Sequence, residues 1–435
     1  MSSELISNTN NKNNYKYCLI IFFSFLTLYS VFFIIGVFWE KIPNYCVSDE
    51  CAYFANAKNI FKGIYQDPFK DRLVSPGFSL VIAPFLLLDF GRRSIVFFNI
   101  VLGSFTIVIT YLTSKIFLSR KISFFITIIW GLYYIKFQQL FTALTEPFAS
   151  FLIISIFYLI CRKKIKKDAL NSLKIGFVLG LLLLTKPIFV YVVILLFILI
   201  SIWLLFDRKF FPIFLSLILA FSMTLPYQSY TFGKTGKILF FSNISGESLY
   251  WMSTPYKGEM GDWNNDQFNS NCQSLENSGP NCNSYLIEKN HGEFFRSIEN
   301  LNMVEKNQKL TQKAISNIKQ YPIKYARNII NNVSRLFYNI PSSYFYQRDI
   351  TILRLIPNSI LFSMILFSCL ISFKKINKYP SEMIFCMVFI FIYIALSSLV
   401  SAYARMLTIV VPFILIWSFY SINLWRNYYE LKDKF

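Results

Sequence analysis

Apolar runs of near-span length alternate with short basic loops along most of the chain, and this alternation predicts a bundle of membrane helices. After a polar, Asn-rich start, residues 17–39 form an uncharged run too long for a signal-peptide core and without a small-residue cleavage site. A retained first helix is expected there. Further runs at 94–117, 122–144, 147–161, 173–185, 188–206, 211–227, 350–373, 381–399 and 406–425 bring the expected number of spans to ten. Basic clusters at Arg120-Lys121, 162–167, Arg208-Lys209, Lys374-Lys375 and 432–434 fall on one side if the amino terminus is inside, which sets both termini in the cytoplasm.

Two stretches interrupt the alternation. Residues 40–93 form the first outer loop, where Ser48 or Asp49 is placed to cap a short amphipathic helix over 52–62 that ends at Gly63. Ser75-Pro76-Gly77 then opens an apolar segment ending at Leu88, too short to span and therefore expected to be interfacial or re-entrant. The second interruption, 229–348, is polar, with nearly balanced charges, and reads as an ordered outer loop domain. Within it, Ala314, Ile318, Tyr321, Tyr325, Ile329, Val333 and Phe337 recur at helical spacing, which predicts surface-lying helices broken near Pro322. The chain thus divides into a transmembrane module at 1–228, a loop domain at 229–348 and carboxy-terminal spans at 349–435.

Composition sharpens this picture. With 55% hydrophobic and 19% aromatic residues, the 435-residue chain is an all-α polytopic membrane protein and not a soluble domain. Its formal charge of +20 is mostly topological, and the many Phe and Tyr residues read as lipid-facing belts, so no nucleic-acid partner is expected. A single histidine, His291, argues against Ser-His-Asp or Cys-His chemistry and against a His-rich metal site. Acid–base work falls to carboxylates, Lys or Tyr. Gly233-Lys234-Thr235-Gly236-Lys237 echoes a phosphate loop, but Gln228 stands where its first Gly is required. Asn243-Ile244-Ser245 and Asn332-Val333-Ser334 match a glycosylation pattern short enough to arise by chance.

The candidate chemistry lies at one end of the spans. Asp49 and Glu50 follow the first helix directly, Glu146 and Lys186 sit at span ends before Pro147 and Pro187, Arg72 is in the first outer loop, and Arg405 precedes the last span. Charges near bilayer depth are costly, so such a cluster is a functional-site hypothesis. Each has a plainer role too: Asp49 as a helix cap, Glu146 at a helix dipole, Lys186 snorkelling, Arg72 as a loop charge. Cys46, Cys51, Cys272 and Cys282 fall in the expected outer loops, where disulfides persist, and their four sulfurs allow three pairings.

The order of these residues resembles the GT-C class of membrane glycosyltransferases, in the family 39-like branch of protein O-mannosyltransferases and aminoarabinose transferases acting on lipid A. The resemblance runs through Asp49-Glu50 with Tyr53, Ala57 and Gly63, a degenerate Pro-Pro-Leu segment at 72–78 in which only Pro76 remains, Gly91, Arg93 and Asn99, Thr145-Glu146-Pro147, Tyr321-Pro322, and Arg405 with Pro412. It implies an inverting transfer of a sugar from a polyprenyl-phosphate donor to a hydroxyl or amine of a glycan, lipid or protein acceptor. The active site would face outward from a plasma (inner) membrane. Asp49 and Glu50 would be catalytic, with Asp49 the base. Glu146 would orient the acceptor or, with Glu50, hold a divalent metal, and Arg405, Lys186 and Arg72 would bind the donor phosphate. A Cys46–Cys51 disulfide would bracket the two acids. A flippase for lipid-linked saccharides, or an oligosaccharide ligase or polymerase, is the alternative reading.

Overall fold

The computed structural model describes residues 2–60, 62–63, 65–162, 169–264, 284–344 and 351–432. Cys272, Cys282, the basic run at 163–167, Arg348 and the tail at 433–434 lie outside them. Among the described residues every regular element is a helix. In order, α1 is Ser2–Phe38, α2 Glu50–Ile60, α3 Pro76–Leu87, α4 Gly91–Ser114, α5 Arg120–Gly131, α6 Tyr134–Leu140, α7 Glu146–Arg162, α8 Ala169–Thr185, α9 Ile188–Leu204, α10 Phe211–Ser222 and α11 Leu225–Thr235. Then come α12 at Ser245–Met252, α13 at Ser284–Ile298, α14 at Met303–Gln320, α15 at Pro322–Tyr338, α16 at Ile352–Lys375, α17 at Ser381–Ser398, α18 at Ala404–Leu407 and α19 at Val411–Lys432.

Among the described residues, four helices are long and apolar enough to cross a membrane: Asn14–Phe38 within α1, Gly91–Ser114, Ile352–Lys378 and Ser381–Ser398. Several others were expected as continuous spans and are shorter or broken. The run at 211–227 bends by 43° between α10 and α11. Pro226 stands in the first turn of α11, where its missing N–H ends one helix and suits the start of the next. The run at 122–144 divides into α5 and the seven-residue α6. Here the Tyr29 hydroxyl of α1 donates to the Gly131 carbonyl at 2.6 Å, and Lys136 donates to the same hydroxyl at 2.7 Å. A network across helices thus satisfies the backbone where the helix stops.

The main core runs through the bundle, with α4 packed on α1 and α7, α8 on α10, and α2 on α3. The α2–α3 pair occupies the segment expected as interfacial helices. Close approach of α3 to α8 is possible because residue 77 is Gly: a Cβ there would lie 2.7 Å from the Leu184 carbonyl carbon. That contact holds α3 beside the end of α8, one residue before Lys186.

The polar stretch after α11 packs a separate core of Tyr250, Trp251, Ile287, Phe295, Ile298, Leu310, Ala314 and Tyr344. His291 is buried beside it, with Nδ1 2.8 Å from the Tyr250 hydroxyl and Nε2 3.0 Å from Glu259. The only histidine is a satisfied core residue. Helices α14 and α15 meet at Tyr321-Pro322, where the sequence predicts a break, and Asn302 with Glu305 forms a capping box that starts α14.

Gly77→Val should drive a branched side chain into the backbone of α8 and lower stability by about 1–3 kcal/mol, the usual range for overpacking. A drop in the thermal midpoint of the detergent-solubilised protein, against an exposed control such as Gly233→Val, is the measurement.

Candidate active site

A cavity of about 610 Å³ opens at one end of the bundle, lined by residues from the loop before α2, the Arg72 loop, α6, the starts of α7 and α16, the Lys186 turn and the segment around Arg405. Two asparagines hold its loops in place. Asn243 donates to the carbonyls of Pro68 and Asp71 at 2.9 and 2.8 Å and accepts from the Leu73 N–H at 2.9 Å, which fixes the backbone on both sides of Arg72. Asn332 of α15 donates to the Ser398 carbonyl at 3.0 Å and accepts from the Ala402 N–H at 3.0 Å, pinning the turn that leads to Arg405. Both head the glycosylation-like triplets, and both are buried. They are backbone clamps, closed to modification in the folded state.

The two adjacent carboxylates part company. Glu50, the first residue of α2, is buried and accepts from Arg92 Nε at 2.6 Å, Arg92 Nη2 at 2.8 Å, the Ala143 N–H at 2.8 Å and the Val47 N–H at 3.1 Å. Every acceptor position on it is engaged, and it does not line the cavity. Asp49 does line it. Its Oδ2 lies 3.0 Å from Arg405 Nη2 and its Oδ1 3.3 Å from Arg72 Nη1. Burial opposes ionisation of Asp49, but the Arg405 guanidinium, with Arg72 and Lys186, outweighs it and holds the carboxyl below its ordinary range. A disulfide joins Cys46 to Cys51, with a Cα–Cα distance of 5.1 Å, and so closes a small loop around both acids.

Glu146 opens α7 and sits almost fully buried, with Oε1 3.1 Å from Lys186 Nζ and 3.5 Å from Arg405 Nε. Arg405 therefore bridges Asp49 and Glu146. All six charged residues singled out in the sequence are brought to this end of the bundle, five around the cavity and Glu50 beneath it. Sequence reasoning missed two others. Arg92, adjacent to the Arg93 that the resemblance picked out, is the buried partner of Glu50, while Arg93 donates to the Ile42 carbonyl at 3.1 Å. Arg354, on the first turn of α16, lines the cavity and donates to Gln138 at 3.1 Å. A cation four positions past the start of the span expected at 350–373 is the signal that would have found it.

The donor set does not fit a divalent metal held by Glu50 and Glu146. Each of these carboxylates is neutralised by Arg or Lys, and among the described residues no three His, Cys, Asp or Glu side chains come together as ligands.

No family model matches the chain, and no curated protein matches it. Solved structures do resemble it. An apo oligosaccharyltransferase from Archaeoglobus fulgidus overlaps 95% of this chain and 51% of its own at 14% identity, with a TM-score of 0.48. The oligosaccharyltransferase AglB of the same organism, in complex with an inhibitory peptide and a dolichol-phosphate, overlaps 95% of this chain and 52% of its own at 15% identity, again with a TM-score of 0.48. ArnT from Cupriavidus metallidurans bound to undecaprenyl phosphate overlaps 92% and 78% at 10% identity, with a TM-score of 0.39. The chain spans about half the length of the archaeal enzymes. No residue role follows from likeness at this level.

Glu50→Gln strands the Arg92 charge and should cost about 3–5 kcal/mol, the usual penalty for breaking a buried pair. Asp49→Asn, in a half-open position, should cost far less; thermal midpoints of the two variants test the difference. Because the folded state holds the Asp49 carboxyl low, its contribution to stability is full above the ordinary Asp value of about 3.9 and fades as pH falls below it. The acid-side loss of thermal stability should therefore be shallower in Asp49→Asn than in the wild type.

Proposed function

We propose that the protein is an integral membrane glycosyltransferase that moves a sugar from a polyprenyl-phosphate donor to a hydroxyl or amine at the extracytoplasmic face. The observation that carries this reading is a carboxylate, Asp49, set in a cavity with more cations than anions. Arg72, Lys186, Arg354 and Arg405 line it against Asp49 and Glu146. Such a surplus suits a phosphate, and the apolar helices below suit a lipid tail. The segment at 229–348 would govern acceptor choice.

In the reaction, the acceptor oxygen or nitrogen attacks the anomeric carbon on the face opposite the phosphate. The bond from that carbon to the phosphate oxygen breaks, and the acceptor proton passes to Asp49. Charge accumulates on the departing phosphate oxygen, where the guanidiniums of Arg405 and Arg354 and the Lys186 ammonium stabilise it. Asp49 is a weak base while Arg405 and Arg72 hold its carboxyl low. A donor phosphate competes for Arg405, so donor binding raises the basicity of Asp49 when there is a sugar to transfer. Glu146 positions Lys186 and Arg405. Glu50 acts through Arg92 to hold the start of α2, and is a positioning residue.

The first test is mass spectrometry of the lipid that accompanies the gently purified protein. A polyprenyl monophosphate, with or without one sugar, is expected; a diphosphate-linked oligosaccharide would turn the reading towards a ligase or flippase. With the donor in hand, Asp49→Asn should lower turnover by about 10²–10⁴-fold, the usual weight of a general base, while still retaining the lipid. Arg405→Gln should lower it by about 10²–10³-fold, as for loss of one transition-state donor. Near-normal turnover in Asp49→Asn would remove it as the base.

A further inference from the structure

A second cavity, of about 990 Å³, also reaches Asp49; its walls come from the first outer loop and from α12, α13 and α14. Asp49, Arg72 and Trp263 line both this cleft and the main cavity, so the two volumes meet at the base proposed above. The walls of the cleft are braced against each other. The Met303 N–H, at the start of α14, donates to the Phe69 carbonyl at 3.0 Å, and Asn307 Oδ1 accepts from the Gly246 N–H of α12 at 2.7 Å.

Among the described residues, the two volumes differ in charge. Beyond the shared Asp49 and Arg72, the main cavity sets Lys186, Arg354 and Arg405 against Glu146, whereas the cleft sets Arg296 and Lys306 against Glu247, Glu288 and Glu299. Arg296 is moreover paired with Glu288. A phosphate meets a surplus of cations in the cavity and a surplus of carboxylates in the cleft, and like charges facing each other exclude a partner. Carboxylates only accept hydrogen bonds, and ammonium and guanidinium groups only donate them. A wall that mixes the two is matched by hydroxyls, which do both. Trp263, where the volumes join, adds an aromatic surface for the apolar face of a sugar ring.

We propose, resting on the transferase reading, that the cleft is the acceptor site and that the acceptor is an uncharged saccharide, with neither a phosphorylated sugar nor a phosphorylated lipid admitted. Its hydroxyl oxygen bonds to the anomeric carbon at the junction and its proton passes to Asp49. The bond from that carbon to the phosphate oxygen breaks, and the electron pair leaves with the phosphate on the cavity side. Charge thus sorts the two substrates: the anionic donor goes to the basic volume and the neutral acceptor to the acidic one.

Saturation-transfer NMR on the full chain in lipid bilayers, without donor, reads the cleft directly. The probes are short neutral oligosaccharides of common hexoses and N-acetylhexosamines, the phosphate monoesters of the same sugars, and a Ser/Thr-rich peptide. At least one neutral sugar should bind, and its phosphate ester should bind at least about tenfold more weakly. Trp263→Ala should weaken the neutral sugar by about tenfold or more. Glu288 and Glu299 are exposed at the rim, and Glu288→Lys with Glu299→Lys should narrow the gap between sugar and phosphate ester; this pair carries the test if Trp263→Ala does not fold. Binding of the phosphate ester as tightly as the neutral sugar overturns the proposal, as does binding of the peptide alone, or sugar binding that neither set of substitutions alters. The readout needs no turnover, so the two readings fail separately. A protein that carries polyprenyl monophosphate but binds no neutral sugar keeps the transferase reading and loses this one; a sugar bound in the cleft of a protein that takes no such lipid does the reverse.

Discussion

Arg405 is the shared partner on which the end of the bundle depends. One guanidinium faces Asp49 and Glu146 together, and so ties the loop after α1 and the start of α7 to the short α18. Removed from bulk water, each charge interacts more strongly than at an open surface, and an unpaired one is expensive. The neighbouring charges are arranged accordingly: Arg72 takes the other oxygen of Asp49, and Lys186 shares an oxygen of Glu146. Positions that look unrelated along the chain, from 49 to 405, are held in one place by charge balance.

The same balance separates residues that are adjacent in sequence. Asp49 lies in the turn before α2 and Glu50 is the helix's first residue, so the two side chains leave the backbone from different local geometries: Asp49 meets Arg405 at the cavity and Glu50 meets Arg92. The result is one carboxylate with access to a ligand and one locked as a structural anchor. Chemistry and support are thereby assigned to different residues of a single acidic pair, within a loop tied by the Cys46–Cys51 bridge.

Helix breaks were legible only where the backbone itself carries the cause. Pro322 lacks an N–H and was read as a break; Pro226 carries the same mark and a helix starts over there too, inside the run expected as one span at 211–227. The stop at Gly131 has no such mark. There the cause is the Tyr29 hydroxyl arriving from α1 at the carbonyl, together with Lys136, and hydropathy along the chain holds no trace of it. That stop matters for the site, because it lets the short α6 bring Gln138 and Gln139 to the cavity wall. Arg354 was overlooked for a related reason: averaged over a window, one cation at the edge of an apolar run leaves the run apolar.

By itself, the sequence determined the helical membrane character, the two polar interruptions and the gathering of Asp49, Arg72, Glu146, Lys186 and Arg405 at one end, since these follow from run length, spacing and the cost of charge in lipid. Only the tertiary structure decided which charge meets which. It gave Glu50 to Arg92, set Arg405 between two carboxylates and turned the Asn243 and Asn332 triplets into buried clamps. The physical reason is range: hydropathy acts through neighbours in the chain, whereas ion pairs and buried hydrogen bonds join groups that packing alone brings within about 3 Å.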